Sequence, residues 1–187
     1  VKKDMKYSLL FLSIYFSLTT QAYPVKFERK EVGSVQVQSV DFSKSRATVV
    51  VFLSARCPCS ASHEVELKAL HQKYSNKGFS FVGIHSNHDE TLDETVAHFK
   101  SANLPFPILE DAQTSGLAEE FKALKTPHVY LVNSEGKMLF EGGVDDSNNH
   151  LNASKHYLRE ALAALDAGKE PPLKLARALG CHIARPK

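Results

Sequence analysis

The chain has 187 residues, 43% of them hydrophobic, with 23 lysines and arginines against 21 aspartates and glutamates. A formal net charge of +2 provides no basic surface, which argues against nucleic acid or an anionic membrane as a charge-driven partner. Three cysteines cannot build a structural disulfide framework, since one bridge leaves an odd thiol over.

Residues 1–22, VKKDMKYSLLFLSIYFSLTTQA, run from lysines through an apolar stretch, Tyr7 to Leu18, to the small residues Thr20 and Ala22. This is the layout of a secretory signal peptide cleaved after Ala22. The apolar stretch is shorter than the roughly 20 residues of a membrane-spanning helix, so no stable membrane insertion is expected; the alternative is an uncleaved N-terminal anchor. Cleavage removes three lysines and one aspartate and leaves 20 basic and 20 acidic residues. The expected product is a single domain, residues 23–187, periplasmic or extracellular, where disulfides persist.

Val35-Gln36-Val37 alternates and predicts a short strand, and the polar stretch Asp41 to Arg46 reads as a loop. Thr48 to Leu53 (TVVVFL) is a β-branched apolar run, the mark of a strand buried on both faces of a parallel sheet. From Cys57 to Lys77, Ala61, Val65, Ala69, Leu70 and Tyr74 recur at helical spacing, and Gly78 suits a left-handed cap. Phe79 to Ile84 is a second buried strand. Thr91 to Glu94 is a capping box opening a helix that turns Val96 and Phe99 inward and ends near Ala102. After the extended segment Leu104 to Pro107 and Ile108-Leu109 come a short helix from Thr114 to Ala123 and a strand from Val129 to Val132. A turn at Asn133 to Gly136 returns an antiparallel strand from Met138 to Glu141. His156 to Ala167 is an amphipathic helix, followed by a tail over residues 168–187. This order predicts an α/β fold, a central mixed sheet with helices on both faces.

The stretch Ser54-Ala55-Arg56-Cys57-Pro58-Cys59-Ser60 lies where the first buried strand meets the first long helix. A helix tip offers unpaired N–H groups and the positive end of the dipole, so a thiolate at Cys57 is stabilised and its nucleophilic form populated. Pro58 fits the first turn, and Arg56 can add charge if it turns toward the sulfur. Two residues apart on a helix is a turn of about 200°, so the sulfurs of Cys57 and Cys59 are expected to point apart.

Phe52 to Pro58 with Glu66-Leu67, and Lys125-Thr126-Pro127 ahead of a strand, resemble the thioredoxin-like superfamily in its peroxiredoxin-like redoxin branch. The resemblance extends to Asp111, Asp145-Asp146 and the terminal Gly180-Cys181-His182-Ile183. It implies a thioredoxin-like fold, a cis-proline at Pro127 and a backbone edge at Thr126 that holds a partner chain beside Cys57. It implies Cys57 as attacking thiol, Cys59 or Cys181 closing the disulfide, and Thr126, Pro127, Arg56 and Ser54 on the substrate side. Partners are then protein thiols or disulfides, or peroxide, with an external thiol donor and no organic cofactor. The chain departs from the family pattern: Ser60 replaces the second cysteine of Cys-x-x-Cys, Ser54 stands where peroxiredoxins carry threonine, and no proline lies between Pro24 and Pro58.

Two other chemistries fit the same residues. Cys57 and Cys59 with His128 can hold a copper ion, as in related copper chaperones, whose cysteines stand four apart. Alternatively the domain is a redox-inert binding module. His63 is read as exposed, and His85 to His88 as a solvated loop.

Overall fold

In the computed structural model, which describes residues 23–186, every side chain of the run Ala47–Leu53 is buried. The signal peptide read over residues 1–22 lies outside the described residues. Among those described, the chain forms β1 (Lys26–Lys30), β2 (Val37–Asp41), β3 (Ala47–Leu53), α1 (Pro58–Tyr74), β4 (Phe79–His85), α2 (Leu92–Ala102) and β5 (Ile108–Glu110). It continues through α3 (Gly116–Glu120), β6 (Lys125–Thr126), β7 (His128–Asn133), β8 (Met138–Gly142), α4 (Tyr157–Asp166) and β9 (Cys181–His182). No described helix is long and apolar enough to cross a membrane.

The main sheet has the order β5-β4-β3-β7-β8. β3 runs parallel to β4 and antiparallel to β7, β4 is parallel to β5, and β7 and β8 form the antiparallel hairpin. The expected mixed sheet therefore forms, with Ile108–Glu110 as a further parallel strand that its three-residue length hid. Because β3 is central, it shows no alternation: Val49, Val51 and Leu53 pack with Leu67, Leu70 and Tyr74 of α1, Phe99 of α2 and Leu162 of α4. Val50 and Phe52 face the other way, toward Phe42, Leu117 and Phe121. Helices thus cover both faces.

Two local readings change. The early strand lies at Val37–Asp41, not Val35 to Val37, and pairs antiparallel with β1 in a separate hairpin that the sequence pattern did not reveal. Val35 and Val37 point to solvent there, at 91% and 58% exposure, so their alternation marked no core face. α1 ends at Tyr74, and a 3-10 turn, Ser75–Lys77, carries the chain to Gly78, which takes the left-handed conformation (φ 85°, ψ 17°). The capping box of Thr91 and Glu94 forms as expected.

The inner face of α1 is the main correction. Ala61, Val65 and Ala69 face solvent, while Ser60, His63, Glu64, Glu66, Leu67, Leu70 and Tyr74 are buried. Polar residues on that face have partners: His98 Nε2 lies 2.7 Å from Glu64, and Arg159 grips Glu66 with two bonds of 2.9 and 2.6 Å. An inward face that is half polar defeats a search for apolar periodicity. Leu67→Ala should therefore lower stability by about 3 kcal/mol, whereas Val65→Ala should stay within about 0.5 kcal/mol. Urea midpoints at constant m-value read both, and equal losses would restore the periodicity-based face.

Candidate active site

Cys57 is the N-cap of α1: its backbone is extended (φ −79°, ψ 113°), its side chain accepts the Ser60 N–H, and Pro58 follows in the first turn. The sulfur lies 3.4 Å from the Ser60 nitrogen and 3.1 Å from the Thr126 carbonyl oxygen, to which the protonated thiol donates. It is 3% exposed. The Thr126–Pro127 peptide is cis, as the resemblance implies.

The loop under the sulfur is held by serines. Ser54 Oγ accepts the Cys57 N–H at 3.0 Å, and the Ser54 N–H donates to Ser60 Oγ at 3.1 Å. Ser60, at the second-cysteine position, thus ties β3 to the first turn of α1. Ser54 Oγ in turn donates to Glu90, whose carboxylate also accepts the Ala55 N–H at 2.8 Å. His85 backs this carboxylate at 3.0 Å and reaches Glu110 at 3.4 Å.

The Cys57 and Cys59 sulfurs do not point apart. Sγ of Cys57, Cys59 and Cys181 all lie within 4.8 Å of one another. Cys57 precedes the helical turns, so the helical angle between its side chain and that of Cys59 never applies. Cys181 arrives on β9, which pairs with β6 in the register Thr126↔Cys181 and Lys125↔His182. All three thiols are free.

The three sulfurs differ in charge. Burial alone pushes the Cys57 thiol up, but hydrogen bonds from Cys181, from Thr126 and from the Ser60 amide outweigh it and bring its pKa below the ordinary value. The Thr126 hydroxyl is buried and makes no hydrogen bond to any other group, and its closeness to the sulfur is among the causes that lower the Cys57 pKa. Burial and the charge of Cys57 raise Cys59. Burial, then the hydrogen bond to Cys57 and its charge, push Cys181 up to about 12. The first proton of the cluster leaves from Cys57.

Other expected site residues fall elsewhere. Arg56 pairs with Glu94 at 2.5 Å, at the surface. His128 does not join Cys57 and Cys59; its ring meets the Leu124 amide, the Tyr130 hydroxyl at 3.1 Å and Glu141, and Cys181 takes the third place by the sulfurs. His63, expected at the surface, is 1% exposed and bridges the Cys59 carbonyl (2.6 Å) and Asp145 (2.9 Å). His85, expected in a solvated loop, is also 1% exposed, whereas His88 is exposed. Sequence reasoning missed Glu90 because it stands directly before a capping box, where acids are ordinary. His63, Asp145 and His150 form the other described group with three metal-type ligand atoms within 4.8 Å, and Asp145 already binds both rings.

The model of the Redoxin family matches residues 20–157. The chain belongs to the Redoxin family. A glutathione peroxidase-like peroxiredoxin of Saccharomyces cerevisiae is 26% identical to this redoxin over 140 residues, 70% of this chain and 84% of that protein. An uncharacterised conserved protein of Geobacillus kaustophilus aligns with a TM-score of 0.78 at 30% identity, over 89% of this chain and 92% of its own. The thioredoxin domain of a thiol-disulfide oxidoreductase from Bacteroides vulgatus aligns with a TM-score of 0.56 at 17% identity, over 65% of this chain and 86% of its own, a likeness of fold. The redoxin is thus thioredoxin-like in fold, with a peroxiredoxin-like relative. The family match stops at Tyr157, so Cys181 lies beyond it.

Removing the hydroxyl that serves the thiolate should raise the Cys57 pKa. In Thr126→Val, the pH profile of Cys57 alkylation, followed by mass spectrometry, should move to higher pH; an unmoved profile would show that the hydroxyl contributes nothing. His85 gives a second test. Its burial opposes charge, but Glu110 and Glu90 outweigh that and raise its pKa to about 9. The raised pKa stabilises the fold fully below pH about 6.5, and that stability is lost as pH rises through about 9. The contribution is on the order of 3 kcal/mol. Between pH 7 and 10 the native chain should therefore lose more stability than His85→Gln, and parallel losses would remove the imidazolium from the account.

Proposed function

We propose that this redoxin is an exported thiol oxidoreductase in which Cys57 is the attacking thiolate and Cys181 the resolving thiol. One observation carries the reading: the Cys57 sulfur sits between the Ser60 amide at the tip of α1 and the sulfur of Cys181, which β9 delivers in register with Thr126. Export is supported by the charge and hydropathy layout of residues 1–22.

The chemistry needs no organic cofactor. With a hydroperoxide, the thiolate attacks the terminal oxygen; the S–O bond forms, the O–O bond breaks, and the alcohol or water leaves after taking a proton. The Cys181 thiol then attacks the Cys57 sulfur, an S–S bond replaces the S–O bond, and water departs. With a disulfide, Cys57 attacks one sulfur, the substrate S–S bond breaks and its other sulfur leaves as a thiolate; Cys181 then displaces the bound half as a second thiol and closes the Cys57–Cys181 bridge. In either case an external dithiol, or two thiols, supplies the two electrons that restore the resting protein. Ionisation of Cys57 lifts Cys181, and that electrostatic penalty ends once Cys57 is a neutral sulfenic acid or mixed disulfide.

Peptide mapping after one equivalent of hydroperoxide tests the pairing. The native chain and Cys59→Ser should both yield a Cys57–Cys181 bridge, and Cys57→Ser should yield none and consume no oxidant. A Cys57–Cys59 bridge in the native chain would reassign the resolving thiol.

A further inference from the structure

β6 is a two-residue strand whose sheet partner, among the described residues, is β9 alone. Its edge ends at Thr126, because Pro127 has no N–H to continue the ladder. The same Thr126 presents its carbonyl to the Cys57 sulfur at 3.1 Å. An extended polypeptide bringing a cysteine to Cys57 would pair with this edge by strand addition. The chain's own residues already do so: Cys181 stands opposite Thr126, and the Ile183 N–H donates to the Leu124 carbonyl at 3.1 Å.

The segment is built to stay there. Gly180 has φ 144°, and a Cβ on it would lie 2.0 Å from the Thr126 carbonyl oxygen, so only glycine lets the strand approach. Ile183 is 8% exposed and belongs to the apolar cluster of Phe52, Leu117 and Phe121. Beyond it, the Ala184 N–H donates to Asn87 at 3.0 Å, the His88 N–H to the Ala184 carbonyl at 2.9 Å, and Arg185 to the Ala123 carbonyl at 2.8 Å. None of these anchors touches the Cys57 sulfur; they hold the strand.

We propose, on the reading of Cys57 as the attacking thiol, that residues 180–183 are a tethered stand-in for a polypeptide substrate. The strand selects small oxidants, hydroperoxides and low-molecular-weight disulfides, over polypeptide disulfides. It keeps Cys181 at a high effective concentration beside Cys57 and denies the β6 edge to other chains. A polypeptide enters only by displacing β9, and it then needs glycine directly before its cysteine, for the reason Gly180 does.

The test compares two mixed disulfides with 2-thiopyridine as probes of Cys57: one of cysteamine, the other of a peptide copying residues 178–184. Mass spectrometry counts the adducts, and pyridinethione release gives the rates. On the native chain the cysteamine probe should react faster by about tenfold or more. Cys181→Ser keeps the strand and should preserve that ratio, whereas Ile183→Asp, which expels the strand from its apolar seat, should collapse it by accelerating the peptide. Hydrogen exchange at the Ile183 amide of the native chain, protected at rest, gives a readout that needs no variant. Equal rates of the two probes on the native chain, or an unprotected Ile183 amide, overturn the occupied edge and leave the thiol chemistry standing. No reaction at Cys57 with either probe overturns that chemistry, and the inference with it.

Discussion

A negative charge on a sulfur that water hardly reaches persists only where the protein supplies the hydrogen bonds that water would have given. For Cys57 those come from the Ser60 amide, the Thr126 side chain and Cys181, three elements far apart in sequence. Each is tied down elsewhere. Ser60 is clamped to Ser54, Thr126 is paired in the β6–β9 ladder, and Cys181 rides on the partner strand of that ladder. The low pKa of Cys57 is in this sense a property of the crossing of α1, the Thr126–Pro127 loop and the C-terminal tail.

The charged groups beneath this crossing are paired in layers. Glu90 accepts from the Ser54 hydroxyl and the Ala55 amide and so orders the turn between β3 and α1. Left alone it would be a buried carboxylate near a thiolate. His85 pairs with it, and Glu110 reaches the same imidazole from the other side, so two carboxylates share one imidazolium. Burial pushes the pKa of Glu90 up, but the hydrogen bond from His85, with those from Ser54 and the Ala55 amide, holds it below the ordinary value. On the opposite flank, His63 ties the Cys59 carbonyl to Asp145 and so fastens the first turn of α1 to the loop after β8. Buried polar groups with partners on every side are costly to break, and this makes the cysteine loop stiff.

The sheet was legible in the chain because its strands are apolar runs whose character survives any detailed packing. TVVVFL reads as a doubly buried strand without knowledge of its neighbours, and Thr91 with Glu94 forms a cap through bonds only three residues long. α1 was legible as a helix but not as a surface. Its inward side carries His63, Glu64 and Glu66, whose burial depends on Asp145, His98 and Arg159 arriving from other elements. The partner of Arg56 was hidden for a related reason: the carboxylate of Glu94 reaches it from across the loop, 38 positions on.

The amino-acid sequence by itself determined the fold class, the placing of Cys57 at a helix tip and the proline loop beside it. These depend on local patterns: hydrophobic runs, caps and a proline before a strand. Which cysteine meets Cys57, which histidines are buried, and what lies along the Thr126 edge were decided by tertiary structure alone. Cys181 stands 124 positions from Cys57 in the sequence. Only the pairing of β6 with β9 brings the two sulfurs within reach, because a ladder of backbone hydrogen bonds is indifferent to how much chain separates its strands.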